Sequence, residues 1–556
     1  MDEAVQRIGA AIAGREPILI YGDYDVDGTT ATVLLKTAID RIAASGTSSL
    51  VTWHVPHRIR EGYGMQSSRL AEAAEAGIRL VISVDTGVRA FAAADEARTL
   101  GLDLIVTDHH LPDAAQGLPD ALAVINPAQT DCTYPFKELC GAAIAFKLAH
   151  ALLEAHALTA PNPRAALAFL NDRLLPSLLK LVAIATIADS VPLLGENRVI
   201  VSLGLRELAN PVQPGLRALM EVASLPLDRS PTVSDVGFRL APRINAAGRM
   251  DIADDVVELF LTRSPARAFE LANKLNELND QRRATEREAL DAIELHLPSL
   301  LDPDGQFPAE CLVLDHPDWH RGVLGILASR VVERTGRPAL VLTHEDGQAH
   351  GSGRSVTGFH LLDALTTAHA QHAPELDAAA RPSPLLTRFG GHAHAVGLSL
   401  PSANLTHLRH RLRHVSRLFG LDTGLAPPLF CDAELAAHDL STELAGWIER
   451  SGPFGAGFHE PTFLVRSLVL SAPVRRIKDR HICLSFSSAH GQPPLQALGW
   501  SRTGAGHSAV DWIRCADTFA LDSGSRIDAV ARITQRASQW FSGLELELRD
   551  LRPASL

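Results

Sequence analysis

Four short segments of this chain concentrate side chains able to hold metal ions: Asp23, Asp25 and Asp27; Asp85; Asp108, His109 and His110; and Asp189. Carboxylates grouped with one or two imidazoles suit a pair of hard or borderline divalent cations, with Mn²⁺ more comfortable than Mg²⁺ wherever a histidine ligates. Two such ions about 3.5 to 4 Å apart clamp a phosphodiester, acidify a bridging water and stabilise the leaving oxygen. That is the chemistry of a nuclease or a phosphatase. Asp189 adds to the case because it closes an apolar run at 182–188, where an unpaired carboxylate would be costly and a cation would satisfy it. Taken singly, the segments say less. A His-His pair occurs by chance on surfaces and in cores, and an Asp-rich loop can equally be a set of helix caps or a solvated turn.

The elements that must position these residues form a regular series. Strand-like and helical runs alternate over 17–21, 29–43, 52–56, 68–76, 80–84, 90–100 and 104–107, a βαβ pattern that predicts a parallel sheet. Three of the strands run straight into the acids: 18–21 into Asp23, Asp25 and Asp27, 80–84 into Asp85, and 104–107 into Asp108, His109 and His110. Ligands bind at the C-terminal edge of an open parallel sheet, so residues distant in sequence converge in one crevice there. On an extended backbone the alternating Asp23, Asp25 and Asp27 would all point the same way. Gly22 and Gly28 would permit tight backbone on either side. A largely apolar helix expected at 176–187 lies against the sheet and ends just before Asp189.

Further along, 265–297 has no internal proline or glycine and places Leu271, Leu275 and Leu278 at helical spacing, which predicts one long connecting helix. A second α/β pattern follows, with a strand at 311–315, a helix at 325–334 and a strand at 339–343, ending near Gly420. After a break at Leu425, Ala426, Pro427 and Pro428, short strand-like runs at 462–470, 481–487, 527–534 and 543–548 predict a small β-barrel. The stretch 374–384 reads as a loop. The expected architecture is therefore α/β multidomain: a parallel-sheet catalytic domain over 1–255, a connecting helix over 256–300, a second α/β domain over 301–420 and a β-barrel over 425–556.

Composition agrees with several cores, since the chain has 556 residues and is 46% hydrophobic. The net charge of −12 gives no global signal for nucleic acid, so a nucleic-acid path must be a local basic groove. Part of the acidity is accounted for if the carboxylates bind cations. Six scattered cysteines without a Cys-x-x-Cys pair argue against a zinc ribbon or a disulfide framework and fit a reducing cytoplasm. The first residues carry acid where a secretion signal carries base, and Lys147, His150, Lys180 and Asp189 interrupt the most apolar stretches, so neither export nor a membrane span is expected. No phosphate-loop, zinc-protease or nucleophile-elbow motif is present.

Gly22-Asp23-Tyr24-Asp25-Val26-Asp27-Gly28, Val84-Asp85-Thr86-Gly87, Asp108-His109-His110 and Ala188-Asp189 resemble, in order and spacing, the four motifs of the DHH phosphoesterase superfamily. That resemblance implies that Asp25, Asp27, Asp85, His109 and Asp189 are metal ligands, that Asp23 and His110 lie in or beside the cluster, and that Asp108 orients an imidazole. Pro56-His57-Arg58 with Glu61-Gly62-Tyr63-Gly64, the run from Ala241 to Arg249, the run from Gly351 to Ser355, and Gly390-Gly391-His392 further resemble the RecJ family of single-strand exonucleases. The likeness covers nearly the whole chain. It implies a DHH catalytic domain, a DHH-associated domain and a C-terminal OB fold around a groove that excludes duplex. It also implies two divalent ions, Mn²⁺ or Mg²⁺, and removal of mononucleotides from the 5′ end of single-stranded DNA in repair and recombination. A single-strand-binding protein and a helicase are expected partners by that likeness.

The same segments make sense as phosphate readers. Arg58, Arg243, Arg249 and Arg354 can give forked, charge-assisted hydrogen bonds to phosphate oxygens, with Asn245 beside them. Glycine-rich turns at Gly351 and at Gly390 and Gly391 would let backbone N–H groups approach. Ser352 with Arg354, helped by Arg58, is the candidate pocket for a 5′-terminal phosphate, and His392 a donor to a phosphate or to the leaving oxygen. Each arginine can instead be a solvated residue or part of a structural ion pair. Asn279, Gln281, Arg282, Arg283 and Arg287 line the strand's entrance or form a solvated helix face. Arg475, Arg476, Lys478 and Arg480 make a basic cluster beside the OB strands, while Trp500, Trp540 and Phe541 read as core residues more readily than as stacking platforms. Two rivals stay open. One is a DHH enzyme acting on oligoribonucleotides, cyclic dinucleotides or pyrophosphate, for which the region after Leu425 has no obvious use. The other is a non-catalytic DNA-binding relative, against which the intact acidic set counts.

Overall fold

The computed structural model describes residues 1–43, 50–62, 64–371, 384–421, 429–487, 495–501, 510–537 and 541–554. The break at 425–428, Tyr63, Trp540 and all but the last residue of the expected loop at 374–384 lie outside the described residues. The chain forms two compact units, one of Met1–Arg282 with Gly452–His459 and one of Arg283–Ser451 with Glu460–Leu556.

The first unit is built on five strands, β1 (Ile18–Tyr21), β2 (Val51–His54), β3 (Leu80–Val84), β4 (Asp103–Thr107) and β5 (Ala123–Ile125), in the order β2-β1-β3-β4-β5 and parallel throughout. Both faces are covered, as a parallel sheet requires. Ile18 and Ile20 face a core shared with helices Val26–Ile42, Gly141–Leu158 and Leu175–Ala188, whereas Leu19 and Tyr21 face helices Ser67–Glu75 and Phe91–Thr99. The period-2 alternation of side chains therefore serves two apolar layers. Strand order reverses between β1 and β3, and at such a switch point the connecting segments diverge and leave a crevice.

The structure corrects the sequence reading at two places in this unit. Asp23, Asp25 and Asp27 do not alternate along extended chain: the helix begins at Val26, Asp25 is its N-cap with its carboxylate accepting from Gly28 N at 3.0 Å, and Asp27 sits in the first turn. The expected start at 29 is late because Asp23 to Asp27 read as extended chain, and the hydroxyls of Thr29, Thr30 and Thr32 bond back to the carbonyls of Asp25, Val26 and Gly28. The expected domain edge at 255 falls inside helix Asp254–Leu261, whose Val256, Val257 and Leu259 belong to the first core. The connecting helix begins only at Pro265 and runs to His296, with Leu271, Leu275 and Leu278 buried. Asn279 on that helix is buried and accepts from Arg282 at 2.8 Å, so it is not a surface contact, while Gln281, Arg283 and Arg287 are exposed.

In the second unit, strands β6 (Leu312–Asp315), β7 (Ala339–Glu345), β8 (Gln348–Arg354), β9 (Arg388–Gly391) and β10 (Ala395–Pro401) form a mixed sheet in the order β6-β7-β8-β10-β9. Helix Leu324–Thr335 covers one face, and helices Leu361–Ala370 and Leu405–Leu418 cover the other. Seven further strands follow: β11 (Ala433–Ala436), β12 (Phe463–Val469), β13 (Arg475–Ile477), β14 (His481–Phe486), β15 (Leu495–Gly499), β16 (Arg526–Ala537) and β17 (Ser542–Pro553), in the order β11-β12-β16-β17-β15-β14-β13. This sheet curls until its members meet, because Ser487 N donates to Val469 O at 3.0 Å and Ser471 N to Ser485 O at 2.9 Å. Strands β12, β16, β17, β15 and β14 thus close the small barrel expected from the sequence. Residues 452–459 of the expected C-terminal domain instead pack into the first unit, where Leu193 N donates to Ala456 O at 2.7 Å. Trp500 is 39% exposed, edge-on to His481, so it is not a core residue.

Candidate metal centre

Each strand end delivers its acid by extending the sheet's ladder by one amide. Gly22 N donates to His54 O at 2.9 Å, Asp85 N to Thr107 O at 2.9 Å and Asp108 N to Ile125 O at 3.1 Å. Immediately afterwards the chain turns away. Asp85 takes φ 59°, a left-handed conformation that aspartate tolerates better than most residues. Asp189 arrives from another direction, as the C-cap of helix Leu175–Ala188.

These side chains converge at the β1/β3 switch point. His109 Nε2 lies 3.3 Å from Asp85 Oδ1, 3.8 Å from Asp189 Oδ2 and 3.9 Å from Asp27 Oδ2. Ligand atoms of Asp27, His109 and Asp189 lie within 4.8 Å of one another, as do those of Asp23, Asp25 and Asp85 and those of Asp85, His109 and His110. Three overlapping groups of donors therefore stand side by side, with Asp85 common to the second and third and His109 to the first and third.

The electrostatics show what this cluster lacks. Burial, then repulsion from Asp27 and Asp25, pushes Asp189 up to about 9. Burial followed by neighbouring carboxylates raises Asp23, Asp25 and Asp85 as well. Asp23 Oδ1 and Asp85 Oδ1 are buried with no hydrogen-bond partner, which would cost several kcal/mol per uncompensated charge. Burial holds His109 below its ordinary value, against the pull of Asp27, and so favours the neutral imidazole that ligates metal. Crowded carboxylates, orphaned oxygens and a neutral histidine fit divalent cations.

Asp108 has a different task. Its Oδ1 accepts from His109 N at 2.8 Å, from His110 N at 3.1 Å and pairs with His110 Nδ1 at 2.7 Å, while Oδ2 accepts from Val88 N at 2.9 Å. With both oxygens engaged it orients the two histidines, which places it behind the cluster. Burial disfavours the charged form of His110, but the bond to Asp108 and the surrounding acids prevail and push it up to about 9.

Sequence reasoning passed over the start of helix Gly141–Leu158. Gly141 N and Ala142 N donate to the two oxygens of Asp27 at 2.6 and 2.7 Å. A Cβ on Gly141 would fall 2.5 Å from Asp85 Oδ1, so only glycine lets this helix end approach both acids. The one signal available was a glycine opening an apolar helical run after Cys140.

The expected phosphate readers divide between the units. Arg58 stands over the Tyr24 ring at 5.0 Å, where its charge opposes the rise of Asp23. Asn245 Oδ1 accepts from Val26 N at 3.2 Å, and Gly248 packs so tightly on Tyr24 O that a Cβ would lie 2.4 Å from it. Arg243 donates to Asn276 Oδ1 at 2.9 Å and to Arg239 O at 2.6 Å. Asn245 and Gly248 thus brace the acidic loop, whereas Arg243 is bonded to Asn276 and Arg239.

In the second unit, Gly351 is not in a turn. It lies within β8, paired with Leu342 and Leu398, and their side chains leave no room for a Cβ. Ser352 and Arg354 project from the same strand toward Gly325 in the first turn of helix Leu324–Thr335, with Arg354 Nη1 3.3 Å from Ser352 Oγ. Gly390 and Gly391 lie on the edge strand β9 with Gly391 at φ 136°, and His392 is exposed in the turn that follows. Of the C-terminal basic cluster, Arg476 is paired with Asp517 at 2.6 Å.

Comparison with known proteins gives the same partition. Residues 17–186 match the DHH family N-terminal domain, 309–417 the DHHA1 domain and 431–550 the RecJ OB domain. The single-stranded-DNA-specific exonuclease RecJ of Dickeya dadantii (strain 3937) is 37% identical over 511 residues, spanning 90% of this chain and 83% of its own. The crystal structure of RecJ in complex with Mn²⁺ from Thermus thermophilus superposes with a TM-score of 0.74 at 28% identity, covering 100% of this chain and 72% of that one. The Mg²⁺ complex from the same organism gives a TM-score of 0.68 at 26% identity, covering 100% of this chain and 70% of that one.

Proposed function

Because this chain belongs to the RecJ family of single-stranded-DNA-specific exonucleases, we propose that its acidic crevice hydrolyses the phosphodiester at the 5′ end of single-stranded DNA, releasing mononucleotides. The observation that carries this reading is the convergence of five carboxylates and His109 at one switch point, with Asp23 Oδ1 and Asp85 Oδ1 buried and accepting no hydrogen bond. The chain is a divalent-metal phosphodiester hydrolase. Asp23, Asp25, Asp27, Asp85, His109 and Asp189 would hold Mn²⁺ or Mg²⁺. Bound there, the ions supply Lewis-acid stabilisation of the phosphoryl oxygens and an acidified water.

The chain's own residues do the rest. Asp108 fixes the rotamer of His110 and holds the His109 backbone amide, and Asp27 is held in place by the amides of Gly141 and Ala142. The charged His110 beside the acids donates to a phosphate oxygen. Arg58 adds a cation on the Asp23 side, Asn245 keeps the acidic loop in register through the Val26 amide, and Arg243 and Arg249 are the further arginines offered to phosphates. Ser352 and Arg354, at the first turn of a helix whose dipole favours anions, receive the 5′-terminal phosphate. The edge amides of Gly390 and Gly391, with His392, guide the strand or the leaving oxygen. Among the described residues no helix is long and apolar enough to cross a membrane. Action in the cytoplasm during DNA repair and recombination, with the strand delivered by a single-strand-binding protein or a helicase, completes the reading and rests on family membership.

The test is digestion of end-labelled single and double strands with Mn²⁺ or Mg²⁺, beside a dinucleotide. Mononucleotides released from the 5′ end of the single strand alone are expected. Preference for the dinucleotide would favour a smaller-substrate enzyme, a use for which the barrel has no evident purpose. Binding of DNA without any metal-dependent cleavage would favour a non-catalytic relative. Arg354→Ala is expected to weaken the preference for a 5′-phosphorylated end by roughly tenfold, the worth of one charged hydrogen bond. Equal losses on phosphorylated and unphosphorylated strands would remove the pocket.

A further inference from the structure

Arg58 stands at the apex of a turn that is fastened unusually well. The turn follows β2, whose last residue, His54, accepts the Gly22 amide and so also holds the start of the acidic loop. Glu61 closes the turn. Its Oε1 accepts from His57 N at 3.0 Å, and its Oε2 meets His54 Nε2 at 3.0 Å and Arg69 Nε at 3.2 Å. Glu61 N donates to His57 O at 2.8 Å, and Ile59 N donates to His57 Nδ1 at 3.2 Å. Beyond the turn, Gly62 and Gly64 take φ 80° and 93°, which reverses the chain where a side chain would be strained. The buried Tyr21 hydroxyl then donates to Gly64 O at 3.3 Å and accepts from Gln66 N at 3.2 Å. Both ends of the Arg58 turn are thereby tied to β1 and β2, the strands that carry or flank the acidic loop.

The guanidinium held by this frame has no fixed anionic partner: among the described residues Arg58 forms no ion pair, and it rests on Tyr24, between Asp23 and Asp25. A cation fixed beside metal-binding carboxylates without its own counter-ion is suited to a phosphate brought to those metals. Freezing it beforehand removes the ordering cost that a free arginine would meet on binding.

We propose that Glu61 is a positioning residue that sets Arg58 on Tyr24, so that the guanidinium meets a substrate phosphate on the Asp23 side of the metal centre. This rests on the nuclease reading above. Glu61 suits the task as a carboxylate: burial raises its pKa, but the His57 amide and Arg69 outweigh that and leave it below its ordinary value. Arg69 and the His54 ring contact Glu61 directly, and Asp254 is a further acid near it.

A double-mutant cycle on 5′-phosphorylated single-stranded DNA with Mn²⁺ tests it, reading kcat, KM, melting temperature and Mn²⁺ affinity. Arg58→Ala should raise KM roughly tenfold, and Glu61→Ala should raise the same parameter about threefold or more, both with Mn²⁺ affinity unchanged. Glu61→Gln, whose amide oxygen still accepts the His57 N–H, should recover part of the loss. In the Arg58→Ala background, Glu61→Ala should cost nothing further. Multiplying effects, or a kcat loss that follows weakened Mn²⁺ binding, would overturn the proposal. Should Glu61→Ala fail to fold, the same cycle is run with Glu61→Gln, where multiplying effects again overturn it. A wild-type chain that digests no strand would sink the nuclease reading and this proposal with it.

Discussion

Asp85→Asn is expected to cut hydrolysis of single-stranded DNA by about a thousandfold or more, the scale on which preorganised charge stabilises such a transition state. Asparagine keeps the shape of the side chain and tolerates the φ of 59° found here, so the fold survives while the charge is lost. Asp85 is the single acid common to two donor groups, and its buried Oδ1 accepts no hydrogen bond from the protein. Removing its charge therefore weakens both halves of the centre. The same substitution relieves repulsion among buried carboxylates, so the metal-free variant should melt no lower than the wild type. The thermal stabilisation gained on adding Mn²⁺ should shrink, because that gain measures binding to the folded state. Undiminished turnover would refute the metal assignment. A lowered metal-free melting temperature would refute the account of crowding.

The second large effect is expected from a residue that contacts no substrate. Gly141→Ala places a methyl group within 2.7 Å of three Asp85 side-chain atoms, while the same residue's amide holds Asp27. Alanine favours a helix over glycine by about 1 kcal/mol, so local propensity predicts a gain. The overlap should prevail, because overpacking in a rigid interior costs about 1 to 3 kcal/mol. Either Asp85 or the helix end must move, and both belong to the donor set. We expect activity to fall at least about a hundredfold and the Mn²⁺-induced shift in melting temperature to be lost, with secondary structure retained by circular dichroism. Wild-type turnover in Gly141→Ala would mean that the close approach is dispensable.

Much of the catalytic unit is legible in the sequence for a simple reason. Strands β1, β3 and β4 are apolar runs buried on both faces, and each runs within two residues into an acid. The acids therefore mark the strand ends, and their recurrence marks the sheet edge. The helix at 265–296 and the barrel strands are legible on the same grounds of periodicity. Where reading fails, a local preference has been overruled. Asp25 and Asp27 look like an extended strand end and are instead the N-cap and first turn of a helix, because the Asp25 carboxylate accepts the Gly28 amide. Gly351 looks like a phosphate-binding turn, yet it is a strand residue crowded by Leu342 and Leu398. Asn245 looks like a phosphate contact and instead caps the amide of Val26.

The sequence by itself determined which residues carry the chemistry: the strand-end acids, the paired histidines and the carboxylate that closes an apolar helix. Residue type and burial are local quantities, and each leaves a mark on the chain. Tertiary structure alone decided which of those residues converge, that Asp108 faces the histidines with both oxygens occupied, that the Gly141 amide grips Asp27, and that Glu61 fastens the turn carrying Arg58. Those roles depend on backbone amides and on distances between segments far apart in the chain. An amide is the same at every position, so nothing in the sequence distinguishes the one that grips Asp27 from its neighbours.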